Sequence, residues 1–176
     1  MKKLINLCRS AVCAAALALT ACNKAPTQNT AETASGAPNV PAAEAPSLVW
    51  IDHFDTGLAK AKAENKLALV NFTGSDWCSV CITLKKEVFS RKEFSDYVKD
   101  RMVLVEVDYP QIKQLPPEKR EKHARLQEIY KIEGRIPTVL VLNGDGVELG
   151  RLGYTQGGLP SFLAELEKIR KQPAVL

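Results

Sequence analysis

Cys78 and Cys81 stand one helical turn apart in the stretch Asp76-Trp77-Cys78-Ser79-Val80-Cys81-Ile82. Thiols at i and i+3 across the start of a helix can close a small-loop disulfide without moving the fold. Unpaired backbone N–H groups and the helix dipole then favour a thiolate at the first cysteine. The second, one turn deeper and more shielded, is suited to attack a mixed disulfide rather than to start one. Cys78 is therefore the candidate nucleophile and Cys81 the candidate resolving thiol. Other uses of such a pair fit less well. Covalent haem attachment needs a histidine directly after the second cysteine, where Ile82 stands. Structural zinc needs two more ligands, and the neighbouring segments offer only His53 and His123, each isolated. Copper handling has no methionine or histidine cluster to support it. A redox pair is the leading reading, with an inert disulfide and a metal site as alternatives, and no cofactor or resident metal is implied.

The first residues belong to a different task. Lys2, Lys3 and Arg9 surround the start of an apolar run, AVCAAALALTAC, too short to span a bilayer, so residues 1–21 are expected to be a secretory signal peptide. Leu19-Thr20-Ala21-Cys22 resembles the lipobox of bacterial lipoproteins, which implies acylation of Cys22 as the new N-terminus. Residues 22–47 are then the lipidated N-terminus and an Ala/Pro/Thr-rich tether, which has too little apolar surface to offset its ordering entropy. Residues 48–172 are expected to form one domain, followed by a short tail, 173–176. The 24 basic and 20 acidic residues give +4, and losing Lys2, Lys3 and Arg9 leaves the chain close to neutral. That excludes nucleic acid as a partner class. Of five cysteines, Cys8 and Cys13 leave with the signal and Cys22 carries lipid, so the domain retains only the close pair.

The elements that must position the pair can be traced in order. After Trp50, DTGLAKAKAENK reads as a helix capped by Asp55 or Thr56, with Phe54, Leu58 and Ala61 on its buried side. LALVNF, residues 67–72, is a strand covered on both faces. A turn from Thr73 to Trp77 leads into the helix that begins within the cysteine motif, with Val80, Leu84 and Val88 as its inner stripe. A short helix near residues 92–99 and a second buried strand, 102–107, follow. Beyond Pro110, Pro116 and Pro117, a charged helix runs from Glu118 to about Lys131 with Leu126, Ile129 and Tyr130 inward. IPTVLVLN is a third strand, Asn143-Gly144-Asp145-Gly146 a hairpin turn, and VELGRLGY its antiparallel partner. A last helix from about Pro160 carries Leu163, Leu166 and Ile169. Alternation followed by a hairpin implies a mixed central sheet with helices on both faces.

At this point the sequence resembles the thioredoxin superfamily, through LVNFTGSDWCSVC on strand, turn and helix, RIPT before the third strand, and VLNGDG at the hairpin. KAENKLALVNFTGSDWC followed by EVFS is most similar to bacterial thioredoxin-like lipoproteins and to the C-terminal domain of the membrane electron transporter DsbD. The resemblance implies a thioredoxin-like three-layer α/β/α sandwich and a thiol-disulfide oxidoreductase. It matches Cys78 and Cys81 to the redox-active disulfide, Trp77 to the aromatic residue beside it, and Pro137 to a cis-proline. The last leaves the backbone of Ile136 free to pair with an extended client, so Trp77, Ile136 and Pro137 are the candidate substrate-binding residues.

Two departures stand out. Many thioredoxins carry a buried acid in the strand before the motif to exchange a proton with the second cysteine. Here Asn71 occupies that place, leaving Asp76 and Glu87 as candidates by nearness in sequence. The dipeptide Ser79-Val80 is neither the Gly-Pro of reducing thioredoxins nor the Pro-His of strong oxidants, and it offers Cys78 little extra donor capacity. A middling to reducing potential is therefore expected. The implied setting is the periplasmic side of the cell envelope, lipid-anchored at Cys22, with Asn23 favouring the outer over the inner membrane. Protein thiols and disulfides are the implied clients and a DsbD-like membrane protein the implied electron donor. The alternative is a tethered binding module or copper-handling protein without turnover.

Overall fold

The computed structural model describes residues 48–172. The expected signal peptide, the lipidation site Cys22, the tether and the tail 173–176 lie outside the described residues.

The domain core is built on LALVNFT, a run apolar enough to be covered on both faces. It forms the central strand β2, Leu67–Thr73, buried from Ala68 onward. Before it come β1, Trp50–Ile51, and helix α1, Phe54–Ala63. After it come α2, Ser79–Leu84, continued by a π-helical turn at Lys85–Phe89, then α3, Lys92–Val98, and β3, Met102–Asp108. The chain finishes with α4, Pro117–Ile129, β4, Thr138–Leu142, β5, Glu148–Leu152, and α5, Gly158–Lys171. The sheet order is β1-β3-β2-β4-β5. β1, β3 and β2 run parallel, while β4 is antiparallel to both β2 and β5.

The two faces of the sheet bury separate cores. On one, Leu69, Leu104, Val139 and Val141 meet Leu84, Val88, Phe94, Phe162 and Leu166 from α2, the π turn, α3 and α5. On the other, Val70, Phe72, Val105 and Leu140 meet Ala61 and Leu126 from α1 and α4. This is the expected three-layer α/β/α sandwich with a mixed sheet.

Several local expectations are corrected. The edge strand β1, paired Trp50↔Leu104 and Ile51↔Val105, has no counterpart in the sequence reading, because two residues are too few to show a period. Helix α1 is entered one turn early: His53 is its N-cap, so Asp55 lies in the first turn beside the positive end of the dipole. Val80 is 43% exposed, and the inner stripe of the motif helix is Cys81, Leu84 and Val88. Val80 lies on the exposed side of the first turn of α2, and Cys81 takes the buried position. Ile129 is 67% exposed. The helix ends there, Lys131 takes φ 50°, and the chain turns so that Ile132 fills the core position instead. Tyr130 does pack against the core as expected.

Candidate functional site

The site forms where β2 ends, β3 ends and β4 begins. Parallel strands β2 and β3 finish side by side at Thr73↔Asp108, and their following loops are knitted together. Ser75 donates from its backbone N and its Oγ to the two oxygens of Asp108, at 2.8 and 2.6 Å. Asp76 accepts from three successive backbone N–H groups, those of Gln111, Ile112 and Lys113, at 2.9, 2.8 and 3.1 Å. Trp77 Nε1 donates to the carbonyl of Tyr109 at 2.7 Å. The indole lies so close over Gly74 that a Cβ there would sit 2.5 Å from it. Glycine is required at this turn for space.

Held this way, the turn delivers Cys78 as the N-cap of α2, its own N–H bonded to Gly74 O at 2.9 Å. Its sulfur accepts the Cys81 N–H at 3.2 Å, which satisfies one of the orphan donors of the helix start. Cys78 and Cys81 are joined by a disulfide with a Cα–Cα distance of 5.2 Å. Both are buried, at 7% and 4% exposure, so exposure separates them less than the sequence reading expected. Position separates them instead: Cys78 precedes the helix, whereas Cys81 is in its first turn and faces the sheet.

Across the site, Cys78 Sγ lies 3.9 Å from the carbonyl oxygen of Ile136. The Ile136-Pro137 peptide is cis. The β2–β4 ladder starts at Phe72↔Thr138, so Ile136 and Pro137 lie outside it beside the disulfide. Trp77, Val80 and Ile82, within or beside the cysteine motif, are exposed apolar residues, at 43%, 43% and 51% exposure. The structure thus brings together Cys78, Cys81, Trp77, Ile136 and Pro137.

The two candidate proton acceptors are each engaged in other contacts. The Asp76 carboxyl is held below its ordinary value by the backbone N–H groups of Gln111, Lys113 and Ile112, so it stays an anion that ties two loops together. Glu87 is exposed and accepts a hydrogen bond from Tyr154 at 2.8 Å. His123 is buried, its Nδ1 is 2.9 Å from the Asp108 carbonyl, and burial lowers its pKa. Ser75, Asp108 and Tyr109 went unnoticed in the sequence. Their roles depend on contacts more than thirty residues away, for which spacing carries no signal.

Residues 54–170 match the family model of the thioredoxin-like domain. The chain belongs to that family. It is 31% identical over 127 residues to the disulfide bond reductase DsbH of Chlamydia pneumoniae, covering 72% of this chain and 75% of that protein. A solved structure of a DsbH oxidoreductase superposes with a TM-score of 0.67 at 30% identity, over 74% of this chain and 89% of that one. The thioredoxin-related protein DsbJ of the same organism is 32% identical over 111 residues, which are 61% of this chain and 30% of DsbJ. The reduced C-terminal domain of DsbD from Neisseria meningitidis shares the fold at 24% identity, with a TM-score of 0.51 over 65% of this chain and 92% of that one. This thioredoxin-like chain is a thiol-disulfide oxidoreductase with Cys78 and Cys81 as its cysteine pair.

Proposed function

We propose that this protein is a membrane-tethered oxidoreductase on the periplasmic side of the envelope that reduces disulfides in client proteins. The observation that carries the reading is the placing of Cys78 Sγ at the N-terminus of α2 and 3.9 Å from Ile136 O, beside backbone that is outside the ladder.

In the dithiol form, the Cys78 thiolate attacks one sulfur of a client disulfide, and the other client sulfur leaves with the bonding electrons and takes up a proton. Cys81 then loses its proton and attacks Cys78 Sγ. The client's second sulfur is released as a thiol and the Cys78–Cys81 disulfide forms, so two electrons and two protons have passed to the client. Trp77 and the Ile136-Pro137 step form the docking groove. A DsbD-like membrane protein restores the dithiol.

Donor count supports the reducing direction. Among the described residues the sulfur of Cys78 accepts one hydrogen bond, from the Cys81 N–H, and no side chain of Ser79-Val80 donates to it. A thiolate with little added stabilisation makes a reductant rather than an oxidant. Similarity to a disulfide bond reductase supports the same direction. Among the described residues no helix is long and apolar enough to cross a membrane. Anchoring is assigned to lipid on Cys22, with the outer membrane favoured.

The test is a Cys81→Ser variant expressed in cells. It is expected to accumulate mixed disulfides between Cys78 and clients in the envelope fraction, and Cys78→Ser to accumulate none. Failure to trap any client, together with no dithiothreitol-driven insulin reduction by the wild type, overturns the reading in favour of a binding module.

A further inference from the structure

The sheet face under α2 is apolar along most of its length and changes character at the redox end. Leu69 pairs with Leu104 on one side and Val141 on the other, and all three belong to the core that also holds Leu84. Two residues further along, on the same face, Asn71 pairs with Glu106 and Val139. Asn71 is 5% exposed, and its Oδ1 is buried with no hydrogen-bond partner among the described residues. An orphaned polar atom in a core is costly, and a catalytic role is one reason a fold keeps it. Glu106 beside it is half-buried.

Helix α2 runs back over β2 from the redox turn, so its rows and those of the sheet can be matched. Leu84 and Leu69 belong to the same core; Cys81 is three residues, about 4.5 Å, closer to the redox turn. The Asn71–Glu106 row is displaced from the Leu69 row by two strand residues, about 6.6 Å, in the same direction. Cys81, buried at 4% exposure, therefore stands toward the Asn71–Glu106 row, where this face turns polar before ending at Thr73–Asp108.

We propose that Glu106 is the group that accepts the proton of the Cys81 thiol when Cys81 resolves the mixed disulfide, with Asn71 as the polar bridge between them. The inference rests on the redox reading above. In this step the S–H bond of Cys81 breaks and its proton passes to the Glu106 carboxylate by way of water that the Asn71 side chain orients by hydrogen bonds. The Cys81 sulfur bonds to Cys78 Sγ, and the Cys78–client bond breaks with its electron pair going to the client sulfur. Glu106 afterwards releases the proton to solvent. Asn71 cannot itself gain or lose a proton; Glu106, one strand over, can.

Burial raises the Glu106 carboxyl above its ordinary value, which makes it a better acceptor near neutrality. Lys85, just after α2, opposes that shift, while Asp108 on β3 and Asp52 before α1 add to it and Lys119 on α4 lowers it.

Two measurements on the purified full-length chain test this. In a Cys78→Ser background, alkylation of Cys81 is followed against pH by mass spectrometry of its peptide. The rate is expected to show a second inflection from Glu106, which Glu106→Gln removes. In the otherwise wild-type chain, Glu106→Gln is expected to lower kcat for insulin reduction about tenfold at neutral pH with KM unchanged. Adding Asn71→Asp should recover most of that loss, because a carboxylate returns to the same row. If the alkylation and turnover profiles of Glu106→Gln superimpose on their parents, the proton assignment fails and the redox reading stands. If the wild type turns nothing over yet keeps the Glu106-dependent inflection, the redox reading fails and the proton coupling stands. Thermal melts of each variant, and the Asn71→Asp rescue, separate proton transfer from lost folding.

Discussion

Two turns of this molecule are each held by one side chain that accepts several backbone N–H bonds, and they differ in where those donors come from. In the β4–β5 hairpin, Asn143 Oδ1 accepts from Asp145 and Val147, both at 2.9 Å and within four residues. In the redox turn, Asp76 accepts from residues 35 to 37 positions away. The first turn is closed by its own sequence, and Gly146 supplies the φ of 81° that the return needs. The second is shaped by a loop that arrives only when β3 has paired with β2. A local turn shapes the sheet; a non-local one makes the cysteine pair depend on the whole fold.

Gly74→Ala is expected to break the non-local turn most severely. The added Cβ meets the indole of Trp77 at 2.5 Å, so the indole must leave the Tyr109 carbonyl and the turn must shift. Displacing a reactive group by about 1 Å can cost about 10²-fold in rate, and insulin reduction should fall by about that much. The α2–β2 core should survive, so the melt moves less than the activity.

Asp76→Asn is expected to have a smaller effect of the same kind, lowering turnover about tenfold, since an amide can accept some of these bonds but carries no charge. It also has a pH signature. Because the folded-state Asp76 value lies below the unfolded one, its contribution to stability is full above the ordinary aspartate range and is lost as pH falls through the lower, folded value. The difference in Tm between wild type and Asp76→Asn should therefore be largest near neutrality and close in strong acid. A constant difference across that range would show that the carboxylate charge does not matter to the clamp.

Asn143→Ala sharpens the contrast from the other side. Losing the turn's internal bonds should cost about 1 kcal/mol, or about 4 °C in Tm, with insulin reduction unchanged. An activity loss comparable to that of Asp76→Asn would mean the two turns are coupled and the distinction drawn between them is false.

The same distinction governs how much could be read in advance. The cysteine pair, the proline before β4 and the Asn-Gly-Asp-Gly hairpin are local signals, and together they pointed to the fold, its order of elements and the residues that converge at the site. Val80 and Ile129 were misread because helix periodicity says which residues share a face, not which of two neighbours at its edge is covered or where the helix gives way. In the first turn of α2 the buried position falls on Cys81 rather than Val80, and α4 gives way at Tyr130 to a turn that hands the core position to Ile132. The strand β1 escaped notice for a related reason: two residues become a strand only when an edge is there to receive them.

By itself, then, the sequence determined the three-layer architecture and the chemistry of a thiol pair, because both are carried by patterns that close within a few residues. Tertiary structure alone decided how that pair is held and what polar groups it meets. Asp76 is a clamp because the loop after β3 brings three N–H groups to it. Glu106 is a neighbour of Asn71 because two strands 35 residues apart pair in that register. Contacts of this range depend on how faces and edges meet in space, and no spacing along the chain records that.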